Sequence, residues 1–238
     1  MAPLVAGVDG CRAGWVVVLS DGARADVSVA RDFSGVLDVT RAARVVGVDM
    51  PIGLLDAAAQ GGRECDRHAR RLLGRGRACS VFSPPVRCAL RRPTYRAALA
   101  ANRASSAARL GISIECFFLF PRLREVDEAL SADETLARRV REIHPELSFR
   151  ALAGGPVGIV EPKRSPRGLS RRVALLRRVF PRVAHALRAR VTGVAADDVL
   201  DAHAVAWSAA RVARGAAVCL PDNPAPRDGR GLPMAIWY

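Results

Sequence analysis

The chain opens with apolar runs too short for helices and spaced for a sheet. Leu4-Val5-Ala6-Gly7-Val8-Asp9-Gly10 is a β-type run that ends in a carboxylate and a glycine, and it predicts a strand stopping at Asp9. After a Gly10–Gly14 turn, Trp15 to Leu19 is a continuous run rich in β-branched residues. Asp21-Gly22 is a hairpin signal, and Val27 and Val29 alternate in a third strand. Together these predict a β-meander. Residues 32–43 fit a short helix capped by Asp32 or Ser34. Residues 43–49 then form a buried-type strand that again ends in an aspartate, Asp49, before Met50-Pro51 breaks it.

From about residue 55 to 140 the pattern turns helical with irregular interruptions, which predicts a helical insertion on or beside the sheet. Ser83-Pro84-Pro85 marks a loop inside it. Val140 to Ile143 reads as a fifth strand that delivers Glu142, His144 and Glu146 around Pro145. A basic loop over 160–168 precedes cationic helices at 169–180 and near 182–190. A long helix follows from about Asp197 to Arg214, and Met234–Tyr238 closes the chain as a docked strand. No repeat or low-complexity linker interrupts this order, so the expectation is one α/β domain over 1–238.

Charge changes the picture through its location. The net charge is +14; residues 63–92 carry a net +7, residues 161–190 a net +9, and the remainder is at −2. Two such clusters suit a phosphate-bearing partner, because each neutralised phosphate releases counterions. With 5% aromatic residues, backbone contact is favoured over base stacking. Arg12, Arg67, Arg70, Arg71, Lys163, Arg171 and Arg172 are the candidate contacts to a nucleic acid. The start of the chain has no basic region followed by an apolar run, and no stretch approaches the roughly 18 apolar residues of a membrane span. A soluble cytoplasmic protein is expected. Six scattered cysteines argue against a disulfide scaffold; Cys65, His68, Cys79 and Cys88 have atoms that suit zinc but match no standard spacing.

Two strands that each end in Gly-Val-Asp are the central observation. Strand ends in α/β sheets open onto the crevice where ligands bind, so Asp9 and Asp49 would share a site if their strands are neighbours. Carboxylate oxygens suit magnesium or manganese. The competing role for each is an Asx-type turn. Asp198 and Asp201, three apart, would lie on one face of the late helix. Asp197 is assigned to capping, and Asp201, a turn inside an apolar stretch, is the stronger metal-ligand candidate of this group. Glu142 and Glu146 are further acidic candidates, and His144 is a candidate for proton transfer or, more simply, a buried hydrogen-bonded histidine.

Six motifs in order, Gly7–Trp15, Val48–Leu54, Arg63–Arg70, Glu142–Glu146, Asp197–Ala202 and Met234–Tyr238, resemble the domain-of-unknown-function family four-two-nine, described as predicted RNase H-like nucleases. The resemblance covers almost the whole chain. It implies an RNase H-like mixed sheet, meander first and then parallel strands, flanked by helices. It also implies Asp9 and Asp49 as strand-end ligands, Asp198 or Asp201 in the late-helix role, and two Mg2+ or Mn2+ ions that hydrolyse phosphodiester bonds. Glu146 has no counterpart in that minimal set. Two rival readings are an actin- or sugar-kinase-like phosphotransfer protein and a non-catalytic nucleic-acid-binding protein. The first calls for a second Asp-Gly-rich phosphate loop, which Val48-Asp49-Met50-Pro51 does not resemble.

Overall fold

A computed structural model describes residues 2–155, 158–188, 191–222 and 224–238. Strands β1 (Val5–Cys11), β2 (Gly14–Ser20) and β3 (Ala25–Ala30) form the meander, each antiparallel to the one before it. Helix α1 (Phe33–Val39) follows, and Asp32 caps it by accepting the Gly35 amide. The chain then lays β4 (Val45–Val48) parallel to β1. Six helices separate β4 from the fifth strand: α2 (Glu64–Arg77), α3 (Arg87–Leu90), α4 (Tyr95–Ala104), α5 (Ile114–Phe118), α6 (Phe120–Ala132) and α7 (Glu134–Arg139). Strand β5 (Val140–Glu142) pairs parallel with β4, which gives the order β3-β2-β1-β4-β5.

Helices α8 (Pro145–Ala153), α9 (Pro166–Leu176), α10 (Val183–Ala186) and α11 (Ala196–Ala213) complete the α-helical content. The strong cationic helix therefore begins three residues before the expected 169 and ends at Leu176. Ser165 sets its start by accepting the Gly168 amide. The helix expected near 182–190 is one turn, and residues 189 and 190 lie outside the described residues. A small ribbon of β6 (Cys219–Leu220) and β7 (Ile236–Trp237) closes the chain. A bridge from Ile143 to Trp237 continues the main sheet into β7. The terminal strand was legible in the sequence, and its two-residue partner at 219–220 was too short to carry a periodicity signal.

Strand parity sorts the core into two layers. Ala6, Val8, Trp15, Val17, Val46 and Val48 face one side, where Phe33, Leu90, Phe120, Leu123 and Val126 pack on them. The long helical insertion is therefore not an appendage but one of the layers that cover the sheet. Val16 and Val18 face the other side and meet Phe149, Leu176 and Leu200, while Val5 and Val45 meet Val205 of α11. Glycines let α11 lie directly on the strands. A Cβ at Gly7 would overlap the Ala202 carbonyl oxygen and the Ala206 amide nitrogen. One at Gly47 would lie 2.6 Å from Ile143 Cδ1 and 2.7 Å from Val205 Cγ1. Among the described residues no helix is long and apolar enough to cross a membrane.

Candidate active site

Each Gly-Val-Asp triplet does three things in successive residues. The glycine admits α11, the valine fills the opposite core, and the aspartate returns to the α11 side. Asp49 lies just past the end of β4, but Asp9 lies inside β1, because that strand, expected to stop at Asp9, runs on to Cys11 against β2. Because Val8 pairs with Val48 and the Asp49 amide donates to the Val8 carbonyl at 2.9 Å, Asp9 and Asp49 stand at matching heights on neighbouring parallel strands. Such strands run about 4.8 Å apart. From α11, Asp201 enters the same space, one residue before the Ala202 that covers Gly7. Asp9, Asp49, Asp201, Glu146 and Lys163 line one cleft of about 360 Å3.

Arg63, Arg77 and Arg122 also line this cleft but donate to Glu142, the Glu161 carbonyl and the Cys11 carbonyl, which leaves Lys163 as the cation paired with its aspartates. Lys163 Nζ lies 2.8 Å from Asp201 Oδ2 and 3.5 Å from Asp197 Oδ2. Among the described residues, the side chains of Asp9 and Asp49 make no hydrogen bond or ion pair. Burial first, then the charges of Asp49 and Asp201, raise the Asp9 carboxyl well above the usual carboxylate range, with Lys163 opposing. Burial lifts Asp49 to about 7 against the pull of Lys163, and Glu146 adds to the rise. Asp201 is lifted to about 6 by burial, again opposed by Lys163, with Asp49 and Glu146 adding to it. Burial pulls the Lys163 ammonium pKa down, yet Asp201, Asp9 and Asp197 outweigh it and raise it.

Glu146 sits in the first turn of α8 with one oxygen committed. Its Oε1 takes Arg172 Nη2 at 2.7 Å, and Arg77 Nη2 stands 3.6 Å away. Its Oε2 and the Oδ1 of Asp201 are both buried and lack a hydrogen-bond partner among the described residues. Two orphaned carboxylate oxygens therefore lie beside two unpaired aspartates, all of them hard oxygen donors. Among the described residues, no group of three or more His, Cys, Asp or Glu side chains is placed so that it could hold a metal ion. The ammonium of Lys163 stands among the carboxylates instead.

Several expected roles change. Arg172, expected to contact nucleic acid, is 0% exposed, because it spans Phe149 and Glu146 inside the protein. Arg70 commits its guanidinium to Val81, Gly61 and Ser83, tying the 81–83 loop to α2. Lys163 points inward at Asp201 rather than out toward a backbone phosphate. Arg12, Arg67 and Arg71 are exposed, and Arg171 is exposed while paired with Glu161 at 3.0 Å. Asp198, not Asp197, caps α11 by accepting the Ala195 amide at 2.8 Å, and it faces a neighbouring groove with Arg12 and Arg164 rather than the main cleft. Asp197 pairs with Arg164 at 3.1 Å.

Glu142 is not a free ligand either. Its carboxylate takes Arg63 Nη2 at 2.7 Å, Arg63 Nη1 at 2.8 Å and the Ile52 amide at 2.7 Å. Arg63, only 1% exposed, also binds Asp66 at 2.7 Å. This buried triad clamps the chain leaving β4 to the end of β5. His144 caps α8: its Nδ1 accepts the Glu146 amide at 3.2 Å, so the proton sits on Nε2 and faces the Ser80 carbonyl at 3.2 Å. Burial lowers its pKa and keeps the ring neutral. Of the suggested zinc set, Cys65 is buried beside Asp66, Cys79 and Cys88 are exposed, and His68 is within 3.7 Å of Glu64.

The two basic segments meet next to the cleft. Arg77, at the end of α2, donates to the Ile159 carbonyl at 3.0 Å and the Glu161 carbonyl at 2.5 Å, so the 160s loop lies against α2. Residues 67 and 71 present exposed arginines at helical spacing on α2, residue 75 is exposed beyond the break in that helix at Gly74, and residues 167 and 171 are exposed at helical spacing on α9. Sequence reasoning missed Arg77, Arg63 and the partner of Lys163. Only the Lys163 position carried a signal, as the one lysine among 37 cationic residues.

Comparison with curated proteins and with solved structures returned no match. The family model described as "Protein of unknown function (DUF429)" matches residues 7–226, from the first strand to past the late helix, and the chain therefore belongs to the DUF429 family.

Proposed function

We propose that this chain is a metal-dependent nuclease of RNase H-like architecture that hydrolyses phosphodiester bonds of a nucleic acid. One observation carries the reading: Asp9, Asp49 and Asp201, from two neighbouring strands and the helix over them, line one cleft with Lys163 as the cation paired to Asp201. A meander followed by two parallel strands agrees with the architecture. The exposed arginines of α2, α9 and the loop between β1 and β2 supply a backbone-binding rim beside the cleft.

Asp9 and Asp49, without partners of their own, and the free Oδ1 of Asp201 would hold Mg2+ or Mn2+. When bound, such an ion supplies Lewis-acid stabilisation of phosphoryl oxygens and lowers the pKa of a coordinated water. The chain does the rest. Gly7 and Gly47 set how closely α11 with Asp201 approaches the strands, Arg172 holds Glu146 through Oε1 and leaves Oε2 without a partner, and the Arg63 clamp holds the β4 and β5 ends in place. The neutral His144 ring has both nitrogens engaged, so its role is to start α8 at the right point for Glu146.

The test is cleavage of single-stranded, duplex and branched DNA and RNA with Mg2+ or Mn2+, comparing the native chain with Asp9→Asn. Loss of turnover by about 100-fold or more, with the fold retained, is the expected result. Metal-dependent thermal stabilisation without cleavage of any of these substrates would instead favour a non-catalytic nucleic-acid-binding protein.

A further inference from the structure

A second cavity, of about 450 Å3, collects arginines where the first collects aspartates. Arg138 of α7, Arg141 of β5, and Arg227 and Arg230 of the loop between β6 and β7 line it, with Trp237 as its aromatic residue. Among the described residues, Glu134 is its one carboxylate. It shares no lining residue with the acidic cleft. Glu142 and Ile236 line that cleft, whereas their chain neighbours Arg141 and Trp237 line this one.

Two of the four arginines are already matched: Arg138 pairs with Glu134 at 2.7 Å and Arg230 with Asp127 at 3.2 Å. Arg141 and Arg227 have no carboxylate partner among the described residues. Arg141 donates through Nη1 to the Ala137 and Val140 carbonyls at 3.2 and 2.9 Å, and Arg227 donates through Nη1 to the Gly231 carbonyl. The Nε and Nη2 donors of both find no acceptor among the described residues. Burial lowers the Arg141 pKa, with Cys219 opposing and the like charge of Arg227 adding to the fall. Guanidinium groups stay protonated all the same, so these are two permanent charges. The loop that carries Arg227 is held from within. Asp228 accepts the Arg230 and Leu232 amides at 2.8 and 3.0 Å with one oxygen, and the Leu54 amide at 2.9 Å and the Arg87 guanidinium with the other. An antiparallel bridge from Arg227 to Pro233 completes it.

We infer that this cavity is a binding site for a phosphate group, seated on the Nε and Nη2 donors of Arg141 and Arg227. A guanidinium fork grips two oxygens of an anion at once. One fork therefore satisfies a carboxylate, whereas a phosphate monoester presents three acceptor oxygens, enough for both. The phosphate comes either free or on a small organic body. The volume lies in the range of small-molecule sites, and an indole in the lining suits a planar base, which makes a nucleoside monophosphate the natural probe. This site stands apart from the acidic cleft and does not depend on the nuclease reading.

The experiment is calorimetric titration of the full chain with adenosine monophosphate, inorganic phosphate and adenosine, at low salt and without divalent metal. The native chain should bind adenosine monophosphate or phosphate with a dissociation constant below about 1 mM. Arg141→Gln and Arg227→Gln should each weaken that binding about tenfold or more. Arg138→Gln, at a charge already matched by Glu134, should change it by less than about threefold. Tighter binding of the nucleotide than of phosphate, weakened again by Trp237→Ala, identifies a nucleotide as the source, and equal binding identifies free phosphate. Should Arg141→Gln fail to fold, the exposed Arg227 still decides. No binding of either phosphate compound overturns the inference, as does adenosine binding as tightly as its monophosphate. Equal losses in Arg138→Gln and Arg141→Gln would reveal diffuse charge rather than a site, and loss on changing Arg67 and Arg71 to Gln would put the anion elsewhere; either result overturns it too.

Discussion

The amide of Asp49 donates to the carbonyl of Val8 at 2.9 Å, the rung of the β1–β4 ladder that brings the Asp9 and Asp49 carboxylates to the same height. Because parity also puts both on the α11 side, the two carboxylates repel one another whenever both are ionised. The site thus holds electrostatic strain until a proton or a cation relieves it.

That strain makes stability depend on pH. Asp49 titrates near 7 and Asp201 near 6 when folded, against 3.8 for the free side chain, so the folded chain holds more protons than the unfolded one between these values. Stability from these groups is present at low pH and lost as pH rises through the folded values. A loss on the order of 2 kcal/mol follows, after allowing for the partial exposure of Asp49. The metal-free melting temperature should fall by about 4–8 °C between about pH 5 and pH 8 on this account. Mg2+ or Mn2+ should restore it more at the higher pH, and Asp49→Asn should flatten the slope. A metal-free melting temperature that rises over this range would contradict the arrangement.

Close approach of α11 predicts unequal effects of two similar substitutions. Gly7→Ala drives a methyl into the backbone of Ala202 and Ala206, which cannot move without lifting the helix, and should cost about 3 kcal/mol or more. Gly47→Ala meets side-chain ends of Ile143 and Val205 that can turn aside, and should cost about 1–2 kcal/mol. Denaturant unfolding measures both, and equal losses would contradict the helix-on-glycine packing.

The buried clamp separates architecture from chemistry at two neighbouring glutamates. Glu142→Gln leaves the Arg63 guanidinium short of a carboxylate, and should destabilise by about 3 kcal/mol or more while Mn2+ affinity stays within about threefold. A large loss of Mn2+ affinity in a folded Glu142→Gln chain would return Glu142 to the metal site.

Exposed and buried arginines should respond differently in a binding assay. Arg67→Gln with Arg71→Gln should weaken nucleic-acid binding and lower its salt slope by about one for each phosphate left without its arginine, with little change in stability. Arg172→Gln should instead lower the melting temperature, since it deprives Glu146 of its 2.7 Å partner in the interior. Filter binding at several salt concentrations, beside thermal melts, resolves the two behaviours.

Much of the frame was legible because it is written in short-range periodicity. Short continuous apolar runs at Val5–Val8 and Val45–Val48 mark buried strands, Asp21-Gly22 marks the hairpin, and the identical Gly-Val-Asp triplets put an aspartate in the same phase on both strands. The concentration of charge in two segments is likewise a property of the sequence alone.

What the sequence by itself determined, then, is where the buried strands run and which way alternate side chains point, since both follow from backbone geometry over a few residues. Tertiary structure alone decided which charges meet. Arg63 finds Glu142 across 79 positions, and Lys163 finds Asp201 across 38. Long side chains reach several ångströms from their Cα, so their partners are set by how distant loops pack. For that reason Arg172 and Arg171, adjacent in the chain, end one inside the protein and one at its surface.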